Sequence, residues 1–226
     1  MIIGGGAAGF FAAANLPYSP HYEVVLLEST REVMKKILIS GGGRCNVTHA
    51  CFDPKLLVKN YPRGESALLS PFYTFQPQQT LDWFAARHVP IVEEEDGRMF
   101  PSSNQSETIA NTLYQSALKN KVAIHTNEKV TSIKWHAADH ITVYSSTLKF
   151  EATKVIVAVG SNFPFLKVME EAGVQLVPPV PSLFTFNVPD KDLTALMGVS
   201  FKEVRLSIAD TPLKSTGPML ITHWGL

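Results

Sequence analysis

Three features are scarce in this sequence: cysteine, an excess of one charge, and long apolar runs. Two cysteines among 226 residues cannot form a disulfide framework, so we expect a reducing compartment and a cytoplasmic location. Twenty basic residues balance twenty acidic ones, which argues against a strongly basic surface for nucleic acid or acidic membranes. No apolar run reaches the length of a membrane span. From the charge balance and the lack of such a run, we expect neither nucleic acid nor a membrane as a partner.

Metal-site and secretion signals are also missing. The sequence contains no HExxH motif and no paired Cys-x-x-Cys motifs, so we predict no metal site. The apolar start lacks the basic stretch of a signal peptide and is broken by glycines. The composition, with 45% hydrophobic and 18% charged residues, is typical of a globular protein of one or two domains.

A glycine motif opens the chain. Gly4-x-Gly6-x-x-Gly9 follows an apolar start and leads into a helical pattern at residues 7–16. Gly4 allows a tight turn, Gly6 lets the backbone approach a pyrophosphate, and Gly9 lets the helix pack closely on a sheet. The N–H groups at the helix start, at Ala7 and Ala8, would hold the negative phosphates. The motif predicts a dinucleotide-binding turn, with an ordinary glycine turn as the alternative.

A carboxylate follows at the distance that such a unit requires. Residues 22–28 have the pattern of a second buried strand, and Glu28 lies nineteen positions after Gly9. There a carboxylate can accept hydrogen bonds from the hydroxyls of an adenosine ribose. Arg31 alone does not indicate a 2′-phosphate. A strand, turn, helix and strand ending in Glu28 favour dinucleotide binding over the ordinary turn.

A second glycine run lies at residues 37–46, with the sequence ILISGGGRCN. Three consecutive glycines are costly to order, but their N–H groups can line a concavity for an anion, with the guanidinium of Arg44 nearby. The alternative is a flexible surface loop. We place Lys36, just before this run, in the same cofactor site.

Four motifs together carry a family resemblance: GGGAAG at the start, LISGGGRCNVT, GRMFP at residues 97–101, and the closing THWGL. Over nearly its whole length the chain resembles bacterial flavoproteins described as aminoacetone-oxidase-like or dehydro-bile-acid-reductase-like FAD-binding enzymes. The resemblance implies FAD as the tightly held cofactor, in a glutathione-reductase-type nucleotide domain with an inserted second domain. It also implies that five loop residues lie beside the pyrophosphate or the flavin: Gly42, Gly43, Arg44, Cys45 and Asn46.

The strands of that domain are predicted in the middle of the chain. Residues 122–126 indicate a parallel strand, and residues 130–135, 141–145 and 148–150 indicate an antiparallel meander. The apolar run at 154–160 predicts a strand buried on both faces. The resemblance implies that the main chain near Val130 packs against adenine and that Gly160 lies over the cofactor. Where the family usually has ATGG, this chain has AVGS at residues 158–161, a departure on the flavin side of the site.

Other patterns predict the connecting elements. Helices are expected at residues 54–61, 65–75 and 80–88, and a further helix is expected to start with Ser106 as its cap. A hairpin is expected around Asp96-Gly97. We interpret the acidic run at residues 93–96 as a solvated turn.

Prolines at positions 178, 179 and 181 mark a linker. We therefore predict an FAD-binding domain over residues 1–178 and the start of a β-rich insertion over 179–226, with strands at 184–188, 199–209 and 219–223. The predicted fold class is α/β: a Rossmann-like FAD-binding domain with a three-stranded meander, plus an incomplete β-rich second domain. Flavoproteins of this architecture return to the first domain after the insertion, and the first strand is short, so we expect a fragment.

The predicted function is that of an FAD-dependent oxidoreductase that moves hydride through flavin N5. We expect a small-molecule substrate and consider NAD(P)H as an electron donor. One alternative is a disulfide reductase using Cys45 and Cys51, although five residues separate them and such enzymes have four. Another is a nucleotide-binding module without catalysis. No catalytic residue is assigned, but His49 and His223 are candidate proton donors.

Overall fold

The computed structural model describes residues 1–61, 63–180 and 186–226, which form two compact units, Met1–Leu176 and Val177–Leu226. The helices are α1 (Ala7–Asn15), α2 (Lys35–Ile39), α3 (Pro54–Leu57), α4 (Glu65–Thr74), α5 (Pro77–Ala85), α6 (Ser106–Lys119), α7 (Phe163–Glu171) and α8 (Lys191–Thr194). The strands are β1 (Ile2–Ile3), β2 (Val25–Leu27), β3 (Thr48–His49), β4 (Ile91–Glu93), β5 (Arg98–Pro101), β6 (Ala123–His125), β7 (Val130–Ala137), β8 (His140–Ser145), β9 (Lys149–Ala152), β10 (Ile156–Val157), β11 (Ser200–Ser207) and β12 (Lys214–Leu220). Among the described residues, no helix combines the length and the apolar composition needed to cross a bilayer.

A parallel sheet in the order β10-β1-β2-β6 forms the centre of the first unit. Successive side chains of a strand point to opposite faces, so the two residues of β1 belong to different cores. Ile2 packs in one cluster with Phe10 of α1 and with residues of α6. Ile3 packs in the other cluster, with residues of the meander β7-β8-β9 and with Phe165 of α7. The sheet is therefore covered by helices on one face and mainly by the meander on the other.

Helix α1 is held in the core at both its side and its end. Phe10 is fully buried and stacks on Tyr114 of α6, with 5.7 Å between the ring centroids. The amide of Asn120 donates to the carbonyls of Ala13 and Ala14 at 3.1 and 2.9 Å. These bonds satisfy two of the carbonyls that a helix end leaves unpaired. Helix α6 thus fixes the direction of α1, and with it the position of the α1 N-terminus.

The predicted fold class is confirmed as a Rossmann-like α/β domain. The predicted parallel strand is β6, which pairs with β2, and the predicted meander is β7-β8-β9, antiparallel throughout. The predicted hairpin is β4-β5, with Gly97 at φ +78° in its turn. The predicted helix at 54–61 is divided into α3 and a 3-10 turn, Val58–Asn60.

Two predictions about single elements are wrong. Residues 154–160 are not buried on both faces: only Ile156–Val157 form β10, an edge strand of the described sheet, and both side chains are 39% exposed. Ser106 does not cap α6, which follows Gln105 and has no side-chain cap. Its hydroxyl instead donates to the carbonyl of Leu38 at 2.8 Å. A hydrogen bond to a residue distant in the sequence has replaced the predicted local cap, and this bond connects α6 to α2.

The second unit is built on the antiparallel hairpin β11-β12, whose register shifts between Phe201 and Val204. Residues 200–207 and 214–220 replace the predicted strands at 199–209 and 219–223. Pro181 of the predicted linker and positions 184 and 185 of the predicted strand at 184–188 lie outside the described residues. The assignment of this unit to a larger insertion stays a prediction.

Candidate nucleotide-binding site

The opening glycines meet three different surroundings. Gly4 has φ +107°, and a Cβ added to it would lie 2.4 Å from the carbonyl oxygen of Ala158. A Cβ at Gly9 would lie 1.9 Å from the carbonyl oxygen of Gly4. A Cβ at Gly6 would have no atom within 4 Å. Gly4 is therefore required by the turn, and Gly9 by the packing of α1 against it. Gly6 borders open space, so a ligand can come close to the backbone there.

The N-terminus of α1 faces that space without a side-chain cap. Gly6 is the residue before the helix and has extended backbone angles, and no side chain caps the first turn. Ala7 and Ala8 are both exposed. The first N–H groups of a helix have no partner within the helix and carry its positive dipole end. The predicted phosphate-binding residues thus form a contiguous, open helix end.

Glu28 is held beside this turn by four hydrogen bonds. Its Oε2 accepts from the backbone N–H of Gly5 at 2.8 Å. Its Oε1 accepts from the N–H and the hydroxyl of Thr30, at 2.8 and 3.0 Å, and from the hydroxyl of Ser29 at 3.1 Å. Burial alone would raise the pKa of Glu28, but the bonds from Gly5, Thr30 and Ser29 outweigh it, and the pKa is lowered. The carboxylate is therefore ionised at neutral pH.

Gly5 is a site residue that the sequence analysis missed. A Cβ on Gly5 would lie 2.9 Å from Cβ of Glu28 and 3.1 Å from its Oε2. Its carbonyl also accepts from the N–H of Met34 at 2.8 Å. The signal in the sequence was the middle glycine of GGG, whose position the Gly-x-Gly-x-x-Gly pattern leaves unspecified. Gly5 is the position at which the turn reaches Glu28.

The lowered pKa of Glu28 predicts a pH dependence of folding. A carboxylate whose pKa is lower in the folded state than its ordinary value of 4.5 stabilises the fold fully above that value and loses this contribution as the pH falls through the folded-state pKa. We expect the difference in unfolding free energy between the native chain and Glu28→Gln to shrink as the pH is lowered below about 4.5. Denaturant titrations from pH 7 to pH 3 measure it, and a difference that does not change with pH would contradict this assignment.

A cavity of about 330 Å³ brings predicted adenosine-binding residues together. Its lining includes Gly4, Glu28 and Val130, with Glu128 and Phe165. The N–H of Glu128 donates to the carbonyl of Glu28 at 2.8 Å, which joins the end of β2 to the start of the meander. The N–H of Asn127 also donates to the carbonyl of Thr30 at 3.1 Å, and together these two bonds hold the start of the meander beside Glu28.

The carboxylate of Glu128 is a second lining group that the sequence analysis missed. It is 9% exposed and accepts short hydrogen bonds from the hydroxyls of Ser145 and Thr147. Hydrogen bonds from Ser145 and then Thr147 are the main causes that lower the pKa of Glu128. Both carboxylates of this cavity are therefore ionised, and Oε2 of Glu28, which accepts one bond from the protein, can accept a further one from a ligand.

Lys36 and Gly160, predicted from distant parts of the chain, lie next to each other. A Cβ on Gly160, which has φ +60°, would lie 3.8 Å from Nζ of Lys36. Gly160 follows β10 by three positions, and the carbonyl of Ala158 lies against Gly4. The ammonium group and the glycine therefore stand at the same edge of the sheet as the glycine turn.

A second cavity, of about 430 Å³, contains five of the predicted residues: Ala7, Ala8, Lys36, Cys45 and Asn46. The rest of its lining is mostly apolar and includes Phe11 and Phe84. Cavities of this size and character accommodate small organic ligands. Both cavities border the segment that runs from the glycine turn into α1. Gly4 of the turn lines the first cavity, and Ala7 and Ala8 of α1 line the second.

The second glycine run forms a 3-10 turn, Ser40–Gly43, with left-handed backbone at Gly41, Gly42 and Gly43. Gly42 borders open space, since a Cβ there would have no atom within 4 Å. Arg44 follows the turn, and its guanidinium pairs with Glu94 and lies 3.9 Å from the ring centroid of Phe100. In the run predicted as a solvated turn, Glu95 and Asp96 do form an exposed turn, Glu93 instead ends β4, and Glu94 is partly exposed and paired with Arg44.

Cys45 does not have the properties of a reactive relay thiol. Cys45 is 6% exposed, and burial raises the pKa of its thiol, against a smaller lowering by the hydrogen bond with Ser40. A relay requires a thiolate, which is favoured by a lowered pKa. Cys45 and Cys51 are both free thiols.

The two candidate proton donors have structural contacts. His49 lies against Gly97, with Nε2 3.2 Å from the carbonyl oxygen of Asp96. His223 belongs to the second unit, where its ring lies 3.6 Å from that of Trp224. These contacts place His49 on the hairpin and assign neither histidine to the two cavities.

Comparison with known proteins identifies the family. A family model described as the HI0933-like protein Rossmann domain matches residues 1–211. The chain belongs to the HI0933-like family. The resemblance stated from the four motifs is thereby confirmed, and it rests on nearly the whole chain.

Relatives of this HI0933-like chain carry two different names. The 3-dehydro-bile acid delta(4,6)-reductase of Clostridium scindens is 28% identical over 100% of this chain and 56% of its own length. The ribosomal RNA dihydrouridine synthase of Haemophilus influenzae is 26% identical over 100% of this chain and 58% of its own length. The HI0933-like chain thus spans little more than half the length of these two relatives.

A solved structure supports the fold. The structure of THI4 from Thermovibrio ammonificans superimposes with a TM-score of 0.50 at 14% identity, covering 77% of this chain and 62% of the other. At this identity the likeness concerns the fold of the HI0933-like domain.

Proposed function

We propose that this chain is the nucleotide-binding part of an FAD-dependent oxidoreductase. One observation carries the proposal: the carboxylate residue Glu28 lines the same cavity as Gly4 and Val130, beside a helix end that no side chain caps. That arrangement offers a ribose-hydroxyl acceptor next to a site for phosphates.

The residues fit the ADP half of FAD on steric grounds. Open space at Gly6 leaves room for a diphosphate to approach the N–H groups of Ala7 and Ala8. The cavity of about 330 Å³ would hold the adenosine, with the ribose at Glu28. The second cavity, bordered by Lys36, Cys45 and Asn46, is the proposed region of the flavin half. When bound, FAD supplies hydride transfer, and these residues bind it, orient it and limit its contact with water.

The substrate class of the whole protein is a further proposal. We propose a small-molecule substrate and NAD(P)H as the electron donor. A ribosomal RNA substrate is the second candidate, because two relatives bear the name ribosomal RNA dihydrouridine synthase. The balance of twenty basic and twenty acidic residues favours the small molecule, because RNA-binding surfaces carry an excess of positive charge.

Reconstitution tests the cofactor. The 226-residue chain is purified, incubated with FAD, freed of excess ligand and examined by visible absorption spectroscopy. We expect flavin bands in nearly stoichiometric amount, with ADP competing for binding. If no flavin bands appear and the chain instead binds NAD, with no competition from FAD, the assignment of FAD would be overturned in favour of a nicotinamide cofactor.

A second measurement separates an enzyme from a binding module. Anaerobic addition of NAD(P)H to the reconstituted chain, and to a longer chain carrying the segment that its relatives have, is followed through the loss of the flavin band. Bleaching of either sample supports a redox enzyme. A flavin that stays oxidised in both would favour the non-catalytic nucleotide-binding module.

A further inference from the structure

Residues 40–46 of the second glycine run pack on the hairpin β4-β5. The N–H of Val47 donates to the carbonyl of Met99 at 2.8 Å. The N–H of Met99 donates to Oδ1 of Asn46 at 3.3 Å. A Cβ on Gly41 would lie 2.8 Å from Cε1 of Phe100, so the turn lies directly on this ring. The hairpin is thus the support on which the glycine run rests.

The side chain of Arg44 connects the glycine run to the hairpin. Cζ of its guanidinium lies 3.9 Å from the centroid of the Phe100 ring, and both of its terminal nitrogens donate to Glu94, at 2.5 and 3.5 Å from the two carboxylate oxygens. Both side chains are about one-third exposed, at 34% and 35%. A two-point contact to a carboxylate fixes the plane of a guanidinium as well as its position.

Glu94 differs from its neighbours in the acidic run. It follows β4 directly, its N–H donates to the carbonyl of Arg98 at 2.8 Å, and its carboxylate contacts Arg44 of the glycine run. Arg98 lies 3.6 Å from its second oxygen. Glu93, one position earlier, is exposed, and no described residue pairs with its carboxylate.

We infer that Glu94 is a positioning residue of the cofactor site. It holds Arg44, and through Arg44 the glycine run, in the shape that closes on FAD. This inference rests on the proposed function, since the run has a ligand only if FAD binds. The physical basis is that a run with three left-handed glycines has a large conformational entropy when unanchored, and an anchored run binds without that loss.

Binding measurements with matched variants test the role. The variants are Glu94→Gln, which keeps the shape and removes the charge, Glu93→Gln as the control, Arg44→Gln, and the double variant Arg44→Gln with Glu94→Gln. FAD affinity is measured by flavin fluorescence, and AMP affinity by calorimetry. AMP contains the adenosine and one phosphate but neither the second phosphate nor the flavin, so it reports on the cavity at Glu28 and the adjoining helix end without the glycine run.

We expect Glu94→Gln to weaken FAD binding about fivefold, the range of a partly exposed ion pair, and Glu93→Gln to change it less than about twofold. AMP affinity should be equal in all variants. In the Arg44→Gln background, Glu94→Gln should have no further effect, because a residue that acts only through its partner is not additive with it. An effect of Glu94 that does not act through Arg44 would give additive losses.

The outcomes separate this inference from the proposed function. If the native chain does not bind FAD, the proposed function fails. If it binds FAD but Glu94→Gln behaves like Glu93→Gln, the positioning role fails and the proposed function stands. Tighter FAD binding by Glu94→Gln would also overturn the role, because Glu94 would then compete with the anion for Arg44. Should Glu94→Gln not fold, Arg44→Lys, which keeps the charge without the planar two-point contact, is expected to weaken FAD binding similarly, and unchanged affinity would count against the inference.

Discussion

Replacing Gly9 by alanine is expected to destabilise the domain strongly, whereas the same change at Gly6 is expected to leave the fold intact and weaken FAD binding. At Gly9 the new Cβ would lie 1.9 Å from the carbonyl oxygen of Gly4. Both atoms belong to rigid backbone, so α1 must move away from the turn. We expect the free energy of unfolding to fall by about 3 kcal/mol, the upper range for overpacking.

At Gly6 the new methyl group meets no protein atom within 4 Å, and φ is −89°, an angle that alanine adopts freely. The loss of a glycine before a helix and the reduced entropy of the unfolded chain oppose each other, so stability should change by less than about 1 kcal/mol. The methyl group does occupy the space proposed for the diphosphate. FAD affinity should therefore fall at least about tenfold.

Thermal unfolding and FAD titration of the two variants measure these effects. Gly217→Ala is the matched control, since its Cβ would also have no atom within 4 Å and its φ is not positive, and it belongs to the second unit. If Gly6→Ala bound FAD as tightly as this control, the open space at the helix end would not be a phosphate site.

Replacing Glu28 by alanine should weaken the binding of ADP and of FAD to a similar degree. The carboxylate would accept from ribose hydroxyls, and hydrogen bonds to a charged group contribute about 1.5–3 kcal/mol, or a tenfold to hundredfold loss of affinity. The change also leaves the N–H groups of Gly5 and Thr30 without their acceptor. We therefore expect a lower free energy of unfolding as well.

Two controls separate the lost ligand contact from the lost support of the turn. Glu32→Ala removes an exposed carboxylate that pairs with Lys35 on the surface, and its effect on affinity should stay below about twofold. Inorganic diphosphate lacks the ribose, so its binding should be much less affected by Glu28→Ala than that of ADP. Equal losses for diphosphate and ADP would show that Glu28 acts on the turn and not on the ribose.

The local patterns of the sequence were sufficient for the main elements. Glycine spacing, a helical apolar run and a carboxylate after the next strand predicted β1, α1 and β2 in their order. Period-two alternation predicted the meander, and Asp96-Gly97 predicted the hairpin. These signals are local because backbone conformation at a glycine and the faces of a strand depend on neighbouring residues.

Prediction failed where a distant partner decided the outcome. The hydroxyl of Ser106 bonds to Leu38 and does not cap its own helix. β10 is exposed because its place at the edge of the described sheet leaves its side chains partly uncovered. Neither result could be predicted from the flanking residues. Those next to Ser106 are as compatible with a helix cap as with the observed bond, and those of β10 are as compatible with a buried strand as with an exposed one.

The sequence by itself determined that the chain begins with the strand, glycine turn, helix and strand of a Rossmann-like fold, and which residues form its turn. Only the tertiary structure decided that Gly5 is the residue that reaches Glu28, that Lys36 lies against Gly160, and that Glu94 is the member of an acidic run that holds Arg44. The physical reason is distance along the chain. Glu94 and Arg44 are fifty positions apart, and which of several neighbouring acids faces an arginine depends on how a hairpin folds back, a choice that composition and periodicity leave open.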